Sequence, residues 1–217
     1  MPMRGGSLVK QLCYRARQLL RKSRSDARRP NPTFMTRWAL SSLTAVVTLL
    51  CARSTAHAER AADVAIVFRV LAYDSNLKAR NDKSVTIAIA YRPEDSGSCA
   101  RMVQASVGEA TFGGMHIRLV PSPYGSRNTF ESSVVAAGAA AIYVCSELED
   151  ASGAISAVSR RNSMLTLCTL EAGVRAGLSV GVAIRDERRR LLVNLPATRA
   201  EGAHLSPALL QVAEVIH

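Results

Sequence analysis

The sequence predicts an α/β domain, a single layered unit with a mainly parallel sheet, a C-terminal β-hairpin and a closing helix. Three observations carry this. Short β-branched or small-apolar runs of strand length recur at Val85–Tyr91, His116–Val120, Ala139–Cys145 and Met164–Cys168. Segments with helical period (Ser98–Val107, Phe130–Ala137, Leu148–Val158) alternate with them, and strand–helix alternation favours parallel pairing. The pattern then changes: Leu178–Arg185 and Arg189–Leu195 are two strands joined by the polar connection Asp186-Glu187-Arg188, which is of hairpin length.

The flanking elements follow from their own signals. In residues 60–72, Val64, Val67, Phe68 and Leu71 fall at i, i+3, i+4 and i+7, one face of an amphipathic helix. Arg92-Pro93 closes the first strand, and Ser96 or Ser98 can cap the next helix. Gly113-Gly114 breaks the chain before the second strand, which Pro121 and Pro123 end. Asn194 and Pro196 suit the start of a helix. Ser206-Pro207 pairs an N-cap with a first-turn proline, Leu205 and Leu210 are placed for a hydrophobic staple, and Leu209, Val212, Ala213 and Ile216 form the expected buried face.

Composition narrows the function classes. With 217 residues, 48% of them apolar, the chain is neither disordered, collagen-like nor a disulfide-stapled miniprotein. The net charge of +11 suggests nucleic acid until its position is considered. Residues 1–58 hold 11 Lys/Arg and one acid, Asp26, whereas residues 59–217 hold 17 Lys/Arg against 16 Asp/Glu. The body is near neutral, so no nucleic-acid partner is expected.

The basic part reads as a leader. Trp38 to Cys51 is a 14-residue apolar run, too short for a spanning helix of about 20 residues. Arg37 before it and Ala56-His57-Ala58 after it complete the order of a secretory signal with cleavage after Ala58. Counted from Met35 the signal has 24 residues, so translation is expected to begin there, leaving 1–34 as an upstream artefact, 35–58 as the signal and 59–217 as the mature domain. Export implies an oxidising compartment, in which Cys99, Cys145 and Cys168 remain. Cys145 and Cys168 each end a strand, and those strands are successive. Side-by-side packing predicts a disulfide between them, with Cys99 left as the free thiol.

No string assembles a catalytic centre. Gly177-Leu178-Ser179-Val180-Gly181 matches G-x-S-x-G, but it runs straight into a strand, where a nucleophile elbow needs a following helix. His116, His204 and His217 are isolated, with no helical ligand spacing, and His116 reads as a partly buried strand residue. Glu147, Glu149 and Asp150 follow a strand, where α/β proteins place sites; their preferred reading is charge–dipole stabilisation of a helix N-terminus. Gly113-Gly114 is no dinucleotide cradle, and Arg188-Arg189-Arg190 reads as a solvated turn. Neither a cofactor nor a metal is implied.

The C-terminal third carries a family resemblance. Leu165-Thr166-Leu167, then Ala176-Gly177, Leu192-Val193-Asn194-Leu195 and finally Gly202 through Leu205-Ser206-Pro207-Ala208-Leu209-Leu210-Gln211-Val212-Ala213 follow the order of the YfiR family of exported bacterial proteins. Residues Leu165, Gly177, Asn194, Gly202, Ser206, Leu209 and Leu210 match its fold markers. Ala176 replaces the first glycine of the family's pair and Pro207 its second serine; the tryptophan-proline after the first helix is absent. The resemblance implies a non-enzymatic periplasmic regulator that binds and restrains the periplasmic part of an inner-membrane diguanylate cyclase. A periplasmic small-ligand binding module is the alternative, and a homodimer stays open.

Overall fold

Residues 61–81, 83–95, 97–108 and 111–217 are described by the structure, a computed structural model. The readings of the start at Met35, the signal and the cleavage after Ala58 lie outside the described residues. Helix α1 spans residues 61–69 and runs into a 3-10 turn, Val70–Tyr73. Val64, Val67, Phe68 and Leu71, the predicted face, are fully buried. The polar stretch that follows contains a helix without a sequence signal, α2 (Ser75–Arg80), whose first turn Asp74 caps by accepting from the Asn76 N–H at 3.0 Å.

Next come β1 (Ser84–Tyr91), α3 (Ser98–Val107), β2 (Thr111–Phe112), β3 (Met115–Pro123), α4 (Arg127–Ala136) and β4 (Ala141–Val144). The predicted helix 148–158 is a 3-10 segment, Ser146–Ala151, leading into α5 (Ser152–Arg161). Then follow β5 (Leu165–Leu167), α6 (Glu171–Arg175), β6 (Val180–Arg185), β7 (Arg188–Asn194), α7 (Leu195–Ala200), α8 (Pro207–Val212) and β8 (Glu214–Ile216). Sheet order is β2-β3-β1-β4-β5-β6-β7-β8. Strands β3, β1, β4, β5 and β6 run parallel; β7 is antiparallel to β6, and β8 parallel to β7. The predicted parallel sheet and hairpin are both present.

Both faces of the sheet are covered, so strand residues alternate between two cores rather than between core and water. One core takes Val85, Ile87 and Ile89 of β1, Tyr143 of β4 and Leu165 of β5, against α1, α3 and Leu209 of α8. The other takes Ala88 and Ala90, Ile142 and Val144, against Phe130 and Val134 of α4, Ile155 and Val158 of α5 and Val174 of α6.

This alternation corrects the disulfide expectation. The bond joins Cys99 to Cys145, with Cα atoms 6.1 Å apart, and Cys168 is the free thiol among the described residues, and is buried. β4 and β5 are indeed neighbours, with Tyr143 opposite Leu167. One step further along that register, Cys168 stands beside Val144, not Cys145. Cys145 therefore faces the first core and Cys168 the second, and no disulfide can cross the sheet between them. Cys99, on a helix packed over the first face, is within reach.

The chain's last segment also differs from expectation. Ser206 does cap α8, and Pro207 does open it, but the helix ends at Val212. Ala213 is extended (ψ 152°), Val212 is 69% exposed, and Ile216 lies in β8, where β-branched residues suit the sheet.

Candidate functional site

The chain leaves β1 towards α3 on one face of the sheet and leaves β4 towards α5 on the other. The carboxyl ends of these neighbouring strands diverge there, which is the position where open α/β sheets form a ligand crevice. A cavity of about 350 Å³ occupies it. Ser98, Cys99 and Met102 of α3 form one wall; Tyr143, Ser146 and Glu147 form the floor and far side; Asp63, Leu170 and Ile184 close the rim.

Two links span the divergence. The Cys99–Cys145 disulfide ties the first turn of α3 to the end of β4. Arg92, just after β1, donates to the Glu147 carbonyl at 2.9 Å and pairs with the Asp150 carboxylate. Hydrogen bonding to Arg92 holds the Asp150 carboxyl below its ordinary range. Glu147 and Glu149 stand in the first turn of the 3-10 segment, as the helix-terminus reading expects; Asp150 in addition pairs with Arg92, and Glu147 also lines the crevice. A larger but open hollow of about 550 Å³ lies beyond, walled by Tyr91, Pro93, Pro121 and Pro123.

The crevice is acidic and hydroxyl-rich. Asp63 is paired with Arg189 of β7, so the arginine run is not merely a solvated turn. Among the described residues Glu147 has no ion pair: its Oε1 is shut off from water with no donor among them, and its Oε2 accepts a long 3.4 Å bond from Ser146. Tyr143 sits behind both. Burial drives its phenol well above the ordinary range, opposed by a hydrogen bond with Thr169 and assisted by the negative charge of Glu147 and Asp63. The phenol is therefore a protonated donor, not a base.

Cys99 Sγ, Cys145 Sγ and a Glu147 oxygen lie within 4.8 Å of one another. Such a trio suits a soft cation only as thiolates, and here the sulfurs are bonded to each other.

Ser179, the centre of the G-x-S-x-G string, lies elsewhere and is fully buried. Its hydroxyl donates to Glu201, also fully buried, which accepts from the Thr166 N–H and hydroxyl, both at 2.8 Å, and from Ser159 at 2.6 Å. Burial pushes the Glu201 carboxyl upward, against those hydrogen bonds. Removed from any crevice, this is an internal fastener between α5, β5, β6 and the end of α7.

The other sequence-marked residues hold the fold. Asn194 caps α7 by accepting from the Ala197 N–H at 3.0 Å while its amide donates to the Val174 carbonyl at 3.1 Å. Gly177 and Gly202 adopt positive φ (110° and 72°), which a side chain would resist. Leu165 and Leu209 are buried, and Leu210 packs beside the same core. His116 is exposed, so the expected partly buried position is corrected. Sequence reasoning passed over Glu201 and the pairing of Arg92 with Asp150, which are joined only by the fold. Glu147 was marked, and its position after a strand was the usable signal.

Comparison with known proteins agrees with this layout. The family model described as YfiR/HmsC-like matches residues 60–214, over two thirds of the chain. No curated protein matches the sequence. Among solved structures, a conserved domain protein from Vibrio cholerae O1 biovar El Tor str. N16961 is similar with a TM-score of 0.52 at 13% identity, over 70% of this chain and 58% of that one. The ABC domain in complex with L-Trp from Streptococcus pneumoniae has TM-score 0.50 at 13% identity, over 72% and 61%. The ligand-free, open CD0873, a substrate binding protein with adhesive properties from Clostridium difficile, has TM-score 0.51 at 13% identity, over 64% and 57%. The chain spans about six-tenths of each of these structures, and the likeness is one of fold. No described helix is long and apolar enough to cross a membrane. The sequence markers, the fold and the matched span together establish that the chain belongs to the YfiR/HmsC-like family.

Proposed function

We propose that this chain is an exported regulator that acts by binding the periplasmic part of an inner-membrane signalling protein of the diguanylate cyclase type and holding it inactive. The observation that carries the reading is the family match across residues 60–214. The signal-like segment ending at Ala58 supports it. A folded inhibitor acts only through differential affinity for two states of its target. A preference of about 2.7 kcal/mol for the inactive state biases the equilibrium about a hundredfold. Deleting the gene is expected to raise cellular cyclic di-GMP, and crosslinking of the exported protein is expected to recover a membrane partner. An unchanged nucleotide level with no partner recovered rejects the reading.

A second reading, a periplasmic small-ligand binding module, is favoured by the crevice at the strand ends and by fold likeness to a substrate binding protein. A permease gene beside this one would favour it; a neighbouring membrane protein with a cyclase or kinase output domain would favour the regulator.

A further inference from the structure

We propose that the crevice between α3 and the end of β4 binds a small aliphatic amine in its protonated form, with Glu147 as the counter-ion. The inference deepens the small-ligand reading by naming the ligand class, and it stands apart from the identity of any protein partner.

The charge inventory of the crevice comes first. Its two carboxylates differ in what they already hold. Asp63 is neutralised by Arg189. Among the described residues Glu147 has no cationic partner, and one of its oxygens has no hydrogen-bond donor. A carboxylate half removed from water without a compensating donor is costly, and a cation carrying N–H groups relieves that cost. No lysine or arginine among the described residues of the crevice wall supplies one. The terminal torsion of a glutamate is broad, so a small rotation exchanges its two oxygens at the crevice mouth.

The rest of the lining selects the body of the ligand. Around the carboxylate, Ser98, Ser146 and Thr169 offer hydroxyls to the remaining ammonium protons. Met102, Leu170 and Ile184 offer aliphatic surface, and Ile184 is 67% exposed, an apolar side chain left uncovered at the rim. An ammonium head at Glu147 with an alkyl stem over these three side chains uses both halves. A carboxylate-bearing ligand meets two acids and no free cation among the described lining residues. Because the disulfide forms part of the wall, the crevice is held at a fixed width in the oxidised protein.

The test is titration of the oxidised full chain, by calorimetry and by NMR, with hexylamine, hexan-1-ol and hexanoate, which share one stem and differ in head group. Hexylamine is expected to bind one to one, at least tenfold more tightly than hexan-1-ol, with hexanoate weaker still. Glu147→Gln is expected to bring hexylamine to the level of the alcohol, whereas Glu149→Gln, at an exposed acid outside the crevice lining, leaves the tenfold preference in place. Equal affinity for amine and alcohol in the unaltered protein overturns the proposal whether or not either variant folds. A Glu147→Gln protein of unchanged melting temperature that keeps the full amine preference overturns it too. Either failure leaves the cyclic di-GMP measurement to decide the regulator reading separately.

Discussion

Glu201 reaches back 35 residues to Thr166 and accepts from its backbone N–H and its hydroxyl, each at 2.8 Å. With Ser159 and Ser179 donating to the same carboxyl group, four polar groups from α5, β5 and the bend before β6 close around one buried acid. Because burial raises the folded-state pKa of Glu201 above its unfolded value, its contribution to stability is complete below the unfolded pKa, near 4.5. That contribution falls as pH rises through the folded value. Glu201→Gln mimics the protonated acid and is expected to cost under about 1 kcal/mol at neutral pH while flattening this decline. Glu201→Ala strands buried donors, each costing about 1–3 kcal/mol, and is expected to lose roughly 3 kcal/mol or more. Urea melts from pH 4 to pH 8 measure both, and an Ala variant as stable as the Gln variant contradicts the account.

On the acid side Glu171 acts with the opposite sign. Hydrogen bonds from Arg185 and then Arg175 bring its carboxyl down to about 2. Arg185 also pairs with Glu214 at 2.8 Å, so the hairpin and the last strand are tied through one guanidinium. A lowered folded-state pKa stabilises the fold above the unfolded pKa and loses that effect as pH falls from about 4.5 towards 2. Glu171→Gln is therefore expected to melt with a weaker dependence on pH between 4.5 and 2 than the unaltered protein. An identical dependence rejects the assignment. The effect is modest because all three side chains are partly in water.

Periodicity made most of the fold legible, and what it missed has identifiable causes. The face Val64, Val67, Phe68 and Leu71 is buried as its spacing requires, and Ser206-Pro207 starts a helix as its chemistry requires. Beyond Val212, helical spacing and a buried strand both fit Ala213 and Ile216, and only the open edge of β7 decides between them. The disulfide turned on parity: strand adjacency was inferred correctly, but which face each cysteine meets depends on a one-residue register that no local pattern carries. Likewise Glu201, directly after a proline-opened helix, reads as an ordinary surface acid; only the packing of α5 and β6 encloses it. Of the crevice, Glu147 stood out by following a strand, whereas Asp63, Met102 and Ile184 are brought to it from elements far apart in the chain.

The Cys99–Cys145 bond closes a loop of 46 residues, for which the chain-entropy model gives about 4 kcal/mol. The double variant Cys99→Ser, Cys145→Ser is expected to lose about 2–4 kcal/mol in urea unfolding under oxidising conditions. Non-reducing peptide mapping is expected to recover the Cys99 and Cys145 peptides linked; a Cys145–Cys168 link refutes the arrangement. Burial pushes the Cys168 thiol up to about 12, so a thiol reagent is expected to leave the folded 59–217 segment unmodified and to label one site in it after unfolding.

Gly181 marks a close approach of α6 to the sheet. A Cβ at this position would lie 2.5 Å from Val174 Cγ2 of α6, 3.1 Å from Cys168 Sγ and 3.2 Å from the Leu170 carbonyl oxygen. Two of these neighbours cannot yield easily: Val174 is fully buried, and the carbonyl is backbone. Overpacking of this kind costs about 1–3 kcal/mol, and Gly181→Ala is expected near the upper end, about 3 kcal/mol. Gly125 has open space around it and no positive φ, so Gly125→Ala is expected to stay within about 0.5 kcal/mol of the unaltered protein. Thermal or urea melts of the pair measure the difference. If Gly181→Ala were as mild as Gly125→Ala, α6 would have to stand further from β6 than it does here, and the second core would be looser than its burial implies.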